Sequence, residues 1–235
     1  MTDSGNVICP HGAAHPRHRP SGQYAAADTR RAAIIDAALA LFAKAGYLNS
    51  SLAKIAAEAG TSATVITHHF GSKQRLLMAV LEAREERTVR TFGRLGPDSG
   101  GDDVRALFRE VLALAAYNLT QPGLIELHTR LSAEAGDPSH PAHAYFAERY
   151  ERVAHSLASV LQRSFDAGQL RSGTDPESIA REILAVSDGL QVQWAIAEGR
   201  LDFVGLYRAH LDRLTQALTV DGKGLGGPTE AERLP

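Results

Sequence analysis

Residues 50–73 read SSLAKIAAEAGTSATVITHHFGSK, and this stretch decides the fold. Ser50 or Ser51 can cap a short helix with Leu52, Ile55 and Ala56 on its inner face. Ala59-Gly60-Thr61 then makes a turn, where Gly60 can take the positive φ that a Cβ opposes. Ser62 caps a second short helix over residues 63–69, with Val65, Ile66 and Phe70 turned inward. Two short helices around a glycine turn, packed on a longer amphipathic helix, predict a helix-turn-helix. The second helix needs only about two turns to enter a major groove ~12 Å wide. On spacing alone the alternative is an ordinary helical hairpin.

The longer helix lies just upstream. Ile34, Ile35, Ala38, Leu41 and Phe42 fall on one helical face. Asp28 or Thr29 can cap its start, and Gly46 can end it. Downstream, Phe146, Tyr150, Val153, Leu157, Leu161 and Phe165 form a second stripe, and Phe203, Leu206, Tyr207, His210, Leu214 and Leu218 a third. Short breaks rich in Gly, Pro, Asp or Ser separate the segments at residues 96–101, 121–123, 136–141, 168–174 and 199–202. No strand-like alternation interrupts them. The expectation is an all-α chain. Residues 1–28, with three prolines and three histidines, read as a disordered arm, and residues 221–235 as a frayed tail. Between them the reading is a helix-turn-helix head over residues 29–75 and a helical body over residues 76–220, with about five helices from residue 102 onward.

Charge divides along the same line. The whole chain of 235 residues carries a net charge of −2. Residues 17–94 hold 12 Lys/Arg against 6 Asp/Glu, and residues 95–235 hold 13 against 20. A basic head on an acidic body suggests that one end meets a polyanion. No apolar run approaches the ~18 residues of a membrane-spanning helix, and the polar N-terminus lacks a signal-peptide core. The single cysteine, Cys9, allows no intrachain disulfide, so a cytoplasmic location is expected.

Residues 30–82 also resemble the DNA-binding domain of the TetR family of bacterial transcription regulators. The resemblance rests on Ile35, Ala38, Leu41-Phe42, Gly46-Tyr47, Ser50-Ser51, Ile55-Ala56, Ala59-Gly60, Ser62, His69-Phe70, Ser72-Lys73 and Leu76-Leu77. It implies a homodimer with two DNA-binding heads and C-terminal helices that dimerise and enclose a ligand pocket. Repression, an inverted-repeat operator and release by a small-molecule effector are implied with it. The family usually has Tyr where this chain has Thr67, which shortens the reach of that side chain to a phosphate.

Roles can then be assigned residue by residue. Arg30, Arg31, Ser51, Ser62 and Lys73 are expected to meet the DNA backbone, Lys73 at a helix N-terminus that favours phosphate. Ala63, Thr64, Thr67 and His68 form the expected base-reading face, with His69 ranked behind His68. No Arg, Asn or Gln on this helix offers a bidentate base contact, so dimer symmetry and DNA shape should supply much of the specificity.

In the body, Tyr117, His128, Tyr150 and Trp194 are pocket candidates, amphipathic groups on otherwise apolar helices. Without clustered basic residues, the expected effector is a neutral or weakly polar apolar molecule. Gly189 sits inside a helix at a cost of ~1 kcal/mol relative to Ala, which suggests close approach of another helix. With Leu206, His210 and Leu214 it marks the expected dimer face. Cys9, His11, His15 and His18 suit a metal by type but not by spacing, and no metal or cofactor is expected. No nucleophile set or phosphate-binding loop supports an enzyme. The runner-up is a helical binding module that no longer reads DNA.

Overall fold

A computed structural model describes residues 21–92, 101–121 and 123–227. These form α1 (Ser21–Ala45), α2 (Leu52–Glu58), α3 (Ala63–Phe70), α4 (Lys73–Phe92), α5 (Val104–Leu119), α6 (Leu124–Glu134), α7 (His143–Asp166), α8 (Pro176–Ile196) and α9 (Phe203–Leu218). Among the described residues β-structure is limited to one isolated bridge, Leu170 with Thr219. Helices α5 to α9 are the five expected in the body.

Local chemistry sets the boundaries. Ser51 and Ser62 adopt extended backbone before α2 and α3, and their hydroxyls accept from Lys54 N and Val65 N. The carboxylates of Asp103, Asp175 and Asp202 likewise accept first-turn N–H groups of α5, α8 and α9, Asp103 and Asp175 from extended backbone. Gly60 turns between α2 and α3 with φ 62°, where an L side chain would be strained.

Two termini differ from expectation. Helix α1 begins at Ser21, upstream of the Asp28 or Thr29 cap, so residues 21–28 are its first turns. Residues 221–227 are anchored rather than frayed. Leu225 is fully buried, and its N–H donates to Asp212 Oδ1 at 2.7 Å. Arg105, Arg109 and Arg208 donate to the carbonyls of Lys223, Leu225 and Gly226. These partners lie far apart in sequence, so periodicity within the tail carries no sign of them.

Two apolar cores hold the chain. The first joins Ile34, Ala38 and Phe42 of α1, Ile55 of α2, Ile66 and Phe70 of α3 and Leu76, Leu77 and Val80 of α4. It continues into Leu127 and Leu131 of α6 and Phe146 of α7. The second joins α5, α7, α8 and α9 around Phe108, Leu161, Ile183, Phe203, Tyr207 and Leu211. Helix α4 thus packs on the head at its start, and the head rests on α6 through shared core rather than through a linker.

Candidate nucleic-acid interface and effector cavity

On α3 the buried side chains are Ile66 and Phe70. That orientation turns Thr64, Thr67 and His68 to solvent together, while Ala63 and His69 are half-buried. The Thr67 hydroxyl donates back to Ala63 O at 3.0 Å, which leaves its oxygen as an outward acceptor. The His68 and His69 rings meet edge to face at 5.7 Å. Ser51 and Ser62 are exposed at the helix starts, and capping uses their acceptor capacity while their hydroxyl protons remain available. Arg30 and Arg31 are exposed on α1, and the Arg31 guanidinium lies over the Phe70 ring at 5.4 Å. Arg31 is therefore beside the end of α3.

Lys73 has an internal task that sequence reasoning missed. Its Nζ donates to Tyr47 O and to Ser50 O, each at 2.8 Å, and sits 4.1 Å from the Tyr47 ring centroid. The ammonium closes the last carbonyls before α2 onto the start of α4. Burial holds its pKa below the ordinary lysine value, and Glu134 opposes that shift.

The body candidates divide. Tyr117 lines a cavity of about 280 Å³ between α1, α4, α5 and α6. Ile35, Leu39, Val80, Ala83 and Leu124 make its apolar wall, and Arg84 enters from α4. His128 and Tyr150 lie instead in a polar chain next to it. Arg84 Nη1 is 3.5 Å from His128 Nδ1, and His128 Nε2 is 3.1 Å from Asp188 Oδ1. Tyr150 donates to Asp188 Oδ2 at 2.6 Å, and Gln191 Nε2 to Asp188 Oδ1 at 3.4 Å. An Arg donor at Nδ1 and a carboxylate at Nε2 favour neutral His128 with its proton on Nε2. Burial pushes the His128 pKa down, and the Asp188 hydrogen bond only partly restores it. Burial raises the Asp188 carboxyl, but the hydrogen bonds from His128 and Tyr150 outweigh it and leave the pKa low. Burial first, then Asp188, pushes the Tyr150 phenol up. Trp194 joins neither group and lies half-buried against the second core near Gly199.

Gly189 is exposed on α8, with nothing within 4 Å of where a Cβ would stand. Val192 and Ile196 share its face, and Ile196 is 77% exposed. On α9 Leu206 is 45% exposed. His210 and Leu214 turn inward instead. His210 lies 3.8 Å from Glu182 Oε1, and Leu214 packs on the second core. The α8 sequence stripes give no preference between core and open face, so periodicity does not single out Val192 and Ile196 as exposed.

Basic residues thus flank α3, on a head whose core runs into a helical body. The model for bacterial regulatory proteins of the TetR family matches residues 34–80, and that for the BetI-type transcriptional repressor C-terminal region matches residues 138–219. The regulator BetI of Burkholderia mallei is 30% identical over 198 residues, covering 81% of this chain and 94% of that protein. The chain belongs to the TetR family of transcriptional regulators. CecR of Shigella flexneri, named an HTH-type transcriptional dual regulator, is 29% identical over 214 residues, 79% of this chain and 91% of its own length.

A structure of SmeT with triclosan superposes with a TM-score of 0.73 at 23% identity, over 88% of this chain and 99% of that one. SmeT is the repressor of a multidrug efflux pump of Stenotrophomonas maltophilia. At that identity the likeness speaks for the TetR fold. Among the described residues no helix is long and apolar enough to cross a membrane, and no His, Cys, Asp or Glu group could hold a metal ion. Cys9, His11, His15 and His18 lie outside the described residues.

Proposed function

We propose that this TetR-family regulator is a ligand-responsive repressor that binds an inverted-repeat operator as a homodimer. One observation carries this reading: α3 turns Thr64, Thr67 and His68 to solvent as one face, beside the exposed Arg30, Arg31, Ser51 and Ser62. The hydroxyls and basic side chains set register on the phosphates, and Ala63, Thr64, Thr67 and His68 read base edges, with His69 at the margin. Lys73 contributes by holding the α3–α4 corner on the α1–α2 turn. Two heads about one helical turn apart, ~34 Å, meet successive major grooves on one side of the duplex.

The head extends to about residue 75, and the body helices run to about residue 220 with residues 221–227 packed on them. The open stripe of Gly189, Val192 and Ile196 with Leu206 pairs α8 and α9 with those of a second copy. Release follows a small, mainly apolar effector in the body, which shifts the equilibrium only by its different affinity for the two head spacings. Helix α4 carries the shift, because it packs in the head at Leu76 and Leu77 and presents Arg84 to the body.

Selection of duplex DNA from a random pool with the full chain tests this. The expected product is one enriched palindrome, bound with a steep salt dependence. Recovery of no palindrome would overturn the DNA reading in favour of a helical binding module.

A further inference from the structure

The cavity at the seam of head and body carries a charge that its apolar wall does not explain. Arg84 enters it from α4 among Ile35, Leu39, Val80 and Leu124, while Asp36 and Arg87, also in its lining, face each other at 3.9 Å with both side chains largely exposed. Among the described residues no carboxylate oxygen forms an ion pair with Arg84 within 4.0 Å, and its one hydrogen-bond contact is the long approach to His128 Nδ1. Burial, and then the nearby Arg149, push its pKa down to about 10. The guanidinium is still charged at neutral pH. Asp188 and Glu85 oppose that shift only at longer range. A desolvated guanidinium with no carboxylate in direct contact is costly, and its planar fork of donors suits a carboxylate in two-point contact.

We propose that the seam cavity binds a small amphipathic carboxylate, its chain on the Ile35, Leu39, Val80 and Leu124 wall and its carboxylate on Arg84. The volume, about 280 Å³, lies near the lower end of small-molecule pockets, which selects a short chain. The sequence reading expects a weakly polar effector; an anionic head group is inferred because folding places Arg84 in the cavity wall. The cavity is walled by α1 of the head as well as by α4 and α6, so its occupant bears on the α1–α4 contact. The carboxylate also competes with His128 for Arg84, which connects the site to Asp188 and Tyr150 on α8 and α7. Only the effect on DNA rests on the repressor reading; binding itself does not.

Calorimetric titration of the full chain with octanoate, octanol and octyltrimethylammonium tests the site. Octanoate should bind at least about tenfold more tightly than octanol, and the cation should not bind. Arg84→Met should abolish the preference for octanoate over octanol, while Arg84→Lys keeps part of it. Ala40→Phe, at an exposed position on the cavity rim, should block octanoate with the melting temperature retained. Equal binding of octanoate and octanol, a preference that survives Arg84→Met, or octanoate binding unchanged by Ala40→Phe would each overturn the proposal. So would the absence of octanoate binding. Failure here leaves the operator selection untouched, and failure of that selection leaves this titration readable.

Discussion

The carboxylate of Glu134, in the last turn of α6, accepts the backbone N–H of Tyr47 at 3.1 Å across 87 positions of sequence. The same Oε2 stands 3.3 Å from His140 Nε2, close enough for an ion pair but off-angle for a hydrogen bond. A Cβ on Gly46, whose φ is 78°, would collide with this carboxylate. Tyr47 O in turn accepts from Lys73. One acidic side chain of the body therefore fixes the turn on which the helix-turn-helix is mounted.

Glu134→Ala should cost about 1–3 kcal/mol, because it leaves the Tyr47 N–H without its acceptor and removes the carboxylate beside His140. Glu134→Gln keeps an acceptor and should cost less. Urea unfolding of the two variants beside the parent measures the difference. An Ala variant as stable as the parent would show that the contact does not hold the head.

Lys73→Met should lower head stability by about 1–3 kcal/mol, since two carbonyls lose their donor. Operator affinity should fall with it. The slope of log affinity against log salt should change by less than about one, as expected for a residue that positions phosphate-binding groups. A fall of about one in that slope would instead assign the ammonium to a phosphate.

Substitution of exposed His68 by Ala should leave the melting temperature within error and weaken binding to the selected operator by about 1–3 kcal/mol, with relaxed preference at one base position. A uniform loss across all sequences would make His68 a backbone contact.

Ile196→Glu places a charge on the open α8 stripe, where a lone protomer should tolerate it within about 0.5 kcal/mol. If the stripe pairs with a second copy, sedimentation should shift from dimer to monomer and operator affinity should drop. An unchanged dimer would place the interface elsewhere.

Acid should destabilise the protein through His128. Burial pulls its pKa below the ordinary value, against the hydrogen bond to Asp188 and with Arg84 and Arg149 nearby. The unfolded chain therefore takes up the proton first. The stabilisation is complete above about pH 6.5 and is lost as pH falls through that value toward the folded pKa. Burial depresses His210 as well, and it contributes with the same sign. Melting temperatures between about pH 5 and 8 should show a flatter acid limb in His128→Gln than in the parent. Identical acid limbs would rule His128 out as the titrating group.

The head was legible because its determinants are local. Caps at Ser51 and Ser62, the turn at Gly60 and the inward spacing of Ile55, Ile66 and Phe70 all act within a few residues. The contacts between body helices were not. Of Tyr117, His128, Tyr150 and Trp194, Tyr117 borders the seam cavity, and Arg84 beside it was not among the residues singled out. The chain of His128, Tyr150 and Asp188 draws on three helices, which no periodicity couples.

By itself the sequence determined that this chain is all-helical, that residues 50–73 form a helix-turn-helix, and which side of α3 faces outward. Helical spacing and caps are properties of neighbours along the chain, so a linear reading reaches them. Only the tertiary structure decided that Lys73 spends its charge on Tyr47 and Ser50, that residues 221–227 are anchored, and that Arg84 lines a largely apolar cavity with no carboxylate in direct contact with it. Those outcomes depend on which distant residues meet, and on what burial does to a charge once they have met.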